Sequence, residues 1–146
     1  MSESEKVSFD EEIGLLDKIL VKLEKSRKLS KNFAIAVLAL GFIMFIVDSY
    51  RNGFTVAAIV NSLFYVIFAV LGFLLLSYIS YNQQYAIDVL EATKKHLEEG
   101  DLKKSSKLIK MIENSFVVKI GVVSEDFEKF LKSFKTKQKL LTKQSK

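Results

Sequence analysis

The sequence predicts an all-α membrane protein: a two-span antiparallel transmembrane helical hairpin with amphipathic cytoplasmic helices at both ends. Three observations carry this expectation. Phe33 to Val47 is fifteen residues long without one polar side chain, inside a first span placed at 29–50. Phe54 to Tyr81 carries no formal charge, and only Thr55, Asn61, Ser62, Ser77 and Ser80 interrupt it with small polar groups, which sets the second span at 54–81. Between them lies the short loop 48–53, Asp48-Ser49-Tyr50-Arg51-Asn52-Gly53, whose Asn-Gly pair is turn chemistry.

A bilayer core of ~30 Å needs about 20 helical residues, so both runs are long enough. Backbone amides in lipid must pair within their own segment, and runs of this length exceed a barrel strand, so both are expected as helices. A cleaved signal peptide fits poorly, because a long charged segment precedes the first run and no small-residue cleavage site follows. A buried pair inside a soluble bundle fails because the rest of the chain has too few apolar residues to cover two such helices.

Residues 1–28 form the N-terminal element. Ile13, Leu16, Leu20 and Leu23 recur at helical steps among charges, and Asp10, Glu11 and Glu12 suit a helix N-terminus. Whether this helix bends at Ser30-Lys31-Asn32 is open. Lys18, Lys22, Lys25, Arg27, Lys28 and Lys31 precede the first span, whereas the loop holds only Arg51. The positive-inside rule then places both termini in the cytoplasm, at a plasma or inner membrane. Tyr50 and Phe54 outside, with Tyr78, Tyr81 and Tyr85 inside, supply interfacial aromatic belts.

Within the hairpin of residues 29–81, a turn centred on Tyr50–Gly53 pairs Phe45 with Ala58, Gly41 with Ser62, Leu38 with Tyr65 and Ala34 with Ala69. Large side chains mostly meet small ones, which lets membrane helices approach closely. The same arithmetic sets Leu16 against Ile87 and Ile13 against Leu90, so the hairpin is expected to continue past the membrane as a coiled-coil helix pair.

Residues 82–146 read as a cytoplasmic helical module with a basic tail. Ala86, Ile87, Val89, Leu90 and Leu97 carry the second helix to Glu99; Gly100 closes it and Asp101 caps the next. From there a stripe of Ile109, Ile112, Phe116, Ile120, Val123, Phe127, Phe130 and Phe134 advances in steps of 3 or 4. Residues 116–123 are β-branched enough for a strand, but no second strand exists to pair with them, so a helix is expected, broken near Gly121 and restarted with Ser124 as N-cap. Lys135 to Lys146 is expected to fray. The stripe is the segment best suited to contacts within the chain, between copies or with a partner.

The composition argues against enzyme chemistry. The 146 residues include no Cys and one His, so thiolate nucleophiles, disulfides, Cys-based metal sites and His pairs are excluded, and no catalytic, cofactor or metal site is expected. His96 stands among Lys and Glu on a solvated face, and Glu11–Glu12, Glu98–Glu99 and Glu125–Asp126 sit at helix ends, where capping explains them. Asn61 and Ser62, the most polar residues well inside a span, are read first as interhelical hydrogen-bond partners and second as pore-lining. Asp48, at the outer boundary, is read as a hydrated interfacial residue.

Residues 1–12 hold five acids and one lysine, whereas 101–146 hold twelve lysines and five acids. That asymmetry suits anionic headgroups or an acidic partner. Nucleic acid fits less well, because the chain has 20 Lys against 2 Arg and its aromatics lie in the apolar stripe. The expected role is a membrane accessory or scaffold protein with a protein partner or further copies of itself. The alternative is an oligomeric channel or pore-forming effector.

Overall fold

The computed structural model describes residues 8–119 and 121–144, with no strand among them. α1 spans Asp10–Arg51, α2 Val56–Glu98, α3 Leu102–Ile112, α4 Phe116–Lys119 and α5 Ser124–Gln144. Two of these, α1 and α2, are long and apolar enough to cross a membrane. The chain divides into two compact units: Ser26–Asn82, and a module of Met1–Lys25 with Gln83–Lys146.

α1 passes through Ser30-Lys31-Asn32 without a break, as a proline-free sequence permits. Ser8 Oγ accepts a hydrogen bond from the Asp10 amide, and Asp10, Glu11 and Glu12 occupy the first turn, where the helix dipole favours acids. The far end closes in a Schellman motif: the Gly53 amide donates to Tyr50 O and the Phe54 amide to Ser49 O, with Gly53 at φ 75°. Thr55 then caps α2, its Oγ1 accepting from the Ala58 amide at 3.2 Å. The end of α2 repeats the motif, with Gly100 (φ 77°) donating to Leu97 O and Asp101 to His96 O. Asp101 caps α3 as its sequence position predicts, accepting from the Lys104 amide at 3.0 Å.

The rest of the module departs from the expected helix in two places. α3 stops at Ile112 instead of continuing to Gly121. Ser115 competes with the helical ladder: its amide donates to Ile112 O and its hydroxyl accepts from the Val117 amide. The break re-aims the chain so that Val117 and Val118 turn inward and Phe116 is 65% exposed. α5, in contrast, does not fray at Lys135 but stays helical to Gln144, held by ion pairs from Lys135 to Glu113 and Lys137 to Glu12. Ser124 is its first helical residue; the N-cap falls on Val123, whose carbonyl accepts from the Phe127 amide.

Every helix contributes to the core of the module. Leu16, Ile19 and Leu23 come from α1, Ala86, Ile87, Val89, Leu90 and Leu97 from α2, and Ile109 and Ile112 from α3. Phe127, Phe130 and Phe134 of α5 form a ladder with centroids 6.0 and 5.9 Å apart, extended by Phe9 at 6.2 Å from Phe134. Full burial of each such ring is worth about 2–3 kcal/mol.

Candidate membrane-facing and partner-facing surfaces

In the 26–82 unit, the fully buried positions are small residues, although Ala36, Ala39 and Ala57 are exposed. Ala34, Gly41, Ala58, Ser62 and Ala69 are buried, Leu38 and Phe45 are half-buried, and Tyr65 is exposed. Outward stand large apolar groups such as Phe33, Phe42, Ile46, Phe64 and Phe68. Only 17% and 11% of the most apolar windows of α1 and α2 are buried, so neither helix is the covered core helix of a water-soluble bundle.

The α1–α2 contact differs from the expected pairing along its axis. A Cβ added at Gly41 would lie 2.1 Å from Ala69 Cβ and 3.0 Å from Tyr65 O, so only glycine fits there, and its neighbours are not Ser62. At Gly72 an added Cβ would lie 3.0 Å from a methyl of Val37, a tight but softer contact. Gly41 therefore meets a residue about seven positions further along α2, two helical turns, than the expected Ser62. Two turns preserve the facing sides, which is why the same small residues remain inside. The turn contributes part of the shift: α1 keeps Asp48–Arg51 as helix, and Asn52–Thr55 joins it to α2, which moves the pairing by about four residues.

Ser62 instead donates to Asp48 Oδ2 at 2.7 Å and to Ala58 O at 2.8 Å. Asp48, read from sequence as a hydrated boundary residue, is half-buried and also accepts from Asn52 Nδ2 at 3.1 Å. Asn61 points outward.

In the module, the inward face of α1 is Glu12, Leu16, Ile19 and Leu23, with Ile13 and Leu20 only partly buried at its edge. The sequence reading chose the stripe one notch around the helix and missed two acids on apolar faces. Glu12 is fully buried, bonded by Ser133 Oγ and by Lys137 Nζ at 2.6 Å. Burial pushes its carboxyl up, but those hydrogen bonds and the Lys137 charge outweigh it and leave the group below the usual glutamate range. Asp126 is nearly as buried and receives Lys18 at 2.8 Å and Lys22 at 2.5 Å. Those two hydrogen bonds hold its carboxyl at about 2. The available signal was spacing: Glu12 precedes Leu16 by one turn, and Asp126 adjoins Phe127 on the stripe.

Lys94 bonds Asp17 at 2.6 Å, so this part of α1 too meets α2 about eight residues beyond the expected pairing of Leu16 with Ile87 and Ile13 with Leu90. The α3–α5 stripe serves its own chain. Ile109, Ile112, Val123, Phe127, Phe130 and Phe134 are buried in the module, Phe116 is exposed, and Ile120 lies outside the described residues. His96 is half-buried with Nδ1 3.1 Å from Glu99 Oε2.

No protein-family model matches this chain, and neither a curated protein nor a solved structure is significantly similar to it.

Proposed function

We propose that the chain is a small, non-enzymatic integral membrane accessory or scaffold protein. In this reading α1 and α2 form an antiparallel two-span hairpin with both termini cytoplasmic, and the helical module contacts a partner protein or further copies. The observation that carries it is the inverted patterning of the 26–82 unit, with alanine, glycine and serine inside and phenylalanine, leucine and isoleucine outside. Such a surface suits lipid, where close packing of small residues rather than apolar burial holds helices together. The basic residues from Lys18 to Lys31 against the single Arg51 support the orientation.

The second reading, an oligomeric channel, is favoured by Asn61, whose amide stands outward beside the buried Ser62. Crosslinking in native membranes followed by copy-number measurement separates the two. A fixed ratio to a different protein is expected; a closed ring of identical copies that passes ions across liposomes would replace the accessory role with the channel.

A further inference from the structure

α2 presents two outward flanks in the 26–82 unit, one on either side of its contact with α1. One flank carries Ile59, Leu63 and Val70, all exposed and all apolar. The other carries Ala57, Asn61 and Phe64, which follow one another at helical steps of four and three and are exposed as well. Asn61 is the anomaly. It lies about 8 Å along the helix from Val56, between the apolar stretches 56–60 and 63–76. Among the described residues its carboxamide has no hydrogen-bond partner. The neighbouring Ser62, in contrast, is satisfied within the chain by Asp48 and the Ala58 carbonyl. In the two-span reading the Asn61 flank would face lipid, which offers a carboxamide neither donor nor acceptor.

We propose that Asn61 pairs with Asn61 of a second copy of this chain, joining two hairpins along this flank of α2. Two copies inserted with the same orientation are related by an axis along the bilayer normal, so like positions meet at equal depth. A carboxamide suits that symmetry, because its Nδ2 donates and its Oδ1 accepts, and two such groups satisfy each other with reciprocal hydrogen bonds. A different protein would need a polar group of its own at the same depth, whereas a second copy brings one by symmetry. Ala57, one turn away on the flank, lets the backbones approach, and Phe64 on the other side of Asn61 supplies contact area. The flank of Ile59, Leu63 and Val70 holds no polar group and stays against lipid.

The inference rests on the membrane reading and can fail separately from it. The chain has no cysteine, so single-cysteine variants each report on one position. The full chain is purified, reconstituted in zwitterionic liposomes and oxidised. Ala57→Cys is expected to form a disulfide-linked dimer, and Leu63→Cys, at a similar depth on the other flank, is not. Single-molecule photobleaching of the labelled chain should give two steps. Association followed by energy transfer on lipid dilution should weaken about fivefold in Asn61→Leu and persist in Asn61→Gln. Position 61 is exposed, and circular dichroism verifies that both variants fold. Equal crosslinking at 57 and 63, association indifferent to Asn61→Leu, or a bleaching count other than two overturns the pair. A single step would leave the flank to a different protein, and a count above two to a larger ring. Alkaline carbonate extraction of native membranes tests the underlying reading: a chain released by carbonate removes the membrane hairpin itself, whereas one that is retained but monomeric removes only the pair.

Discussion

The two units of this chain solve opposite packing problems. In the module, phenylalanine and leucine go inside and lysine and glutamate outside, so burial follows size and apolarity together. In the 26–82 unit the rule is reversed, and Gly41, Ala58 and Ala69 are inside while Phe42, Phe64 and Phe68 are outside. A water-soluble surface cannot tolerate the second arrangement, because contiguous apolar patches beyond a few hundred Å² promote association. The contrast teaches that a core is defined against its solvent: large apolar groups are hidden where water is the alternative and displayed where, in the proposed hairpin, lipid would be.

The most severe way to break that contrast is a matched pair of truncations. Phe130→Ala should cost the module about 3–5 kcal/mol, read as loss of hydrogen-exchange protection in α5. Phe68→Ala, at a position 69% exposed, should change stability in a bilayer by less than about 0.5 kcal/mol. Equal losses would mean that the two units share one kind of core. Next in size, Gly41→Leu forces a side chain into Ala69 and should cost about 1–3 kcal/mol of α1–α2 association. The register itself is read by disulfide trapping: Val37→Cys with Gly72→Cys should crosslink, and Gly41→Cys with Ser62→Cys should not.

The smallest effect sharpens the electrostatic side. Asp126 ionises below its ordinary range, so its ion pairs stabilise the module fully above pH ~4 and that contribution is lost as pH falls toward 2. Glu12 acts in the same direction. With Lys18 and Lys22 partly solvated, the Asp126 share is on the order of 1 kcal/mol. An acid titration followed by near-UV dichroism should show this loss, and Asp126→Asn should flatten it.

Element type and boundaries were largely legible, for local reasons. Gly100 and Asp101 announce a helix end and a helix start through their own backbone and side-chain chemistry, and the charge-free runs announce the two long apolar helices. The axial register of α1 on α2 was not legible, because a displacement of two turns presents the same faces and leaves the periodicity of Ala34, Gly41, Ala58 and Ala69 unchanged. The break after Ile112 was hidden for a related reason: the stripe continues through Phe116 in phase, and only the three-dimensional path shows that residue outside. Glu12 and Asp126 escaped because a carboxylate among leucines is read as surface until its lysine, more than a hundred residues away, is seen.

That separation has a bearing on biosynthesis. Lys137 reaches both Ser8 and Glu12, and Phe134 packs on Phe9, so the first turn of α1 is completed by residues made more than a hundred positions later. Both apolar helices leave the ribosome in the interval. The core around Leu16, Ile19 and Leu23 is therefore completed only after the segments that would enter the bilayer have been made. A variant without α5 would remove Phe127, Phe130 and Phe134 from the core that Leu16, Ile19 and Leu23 share.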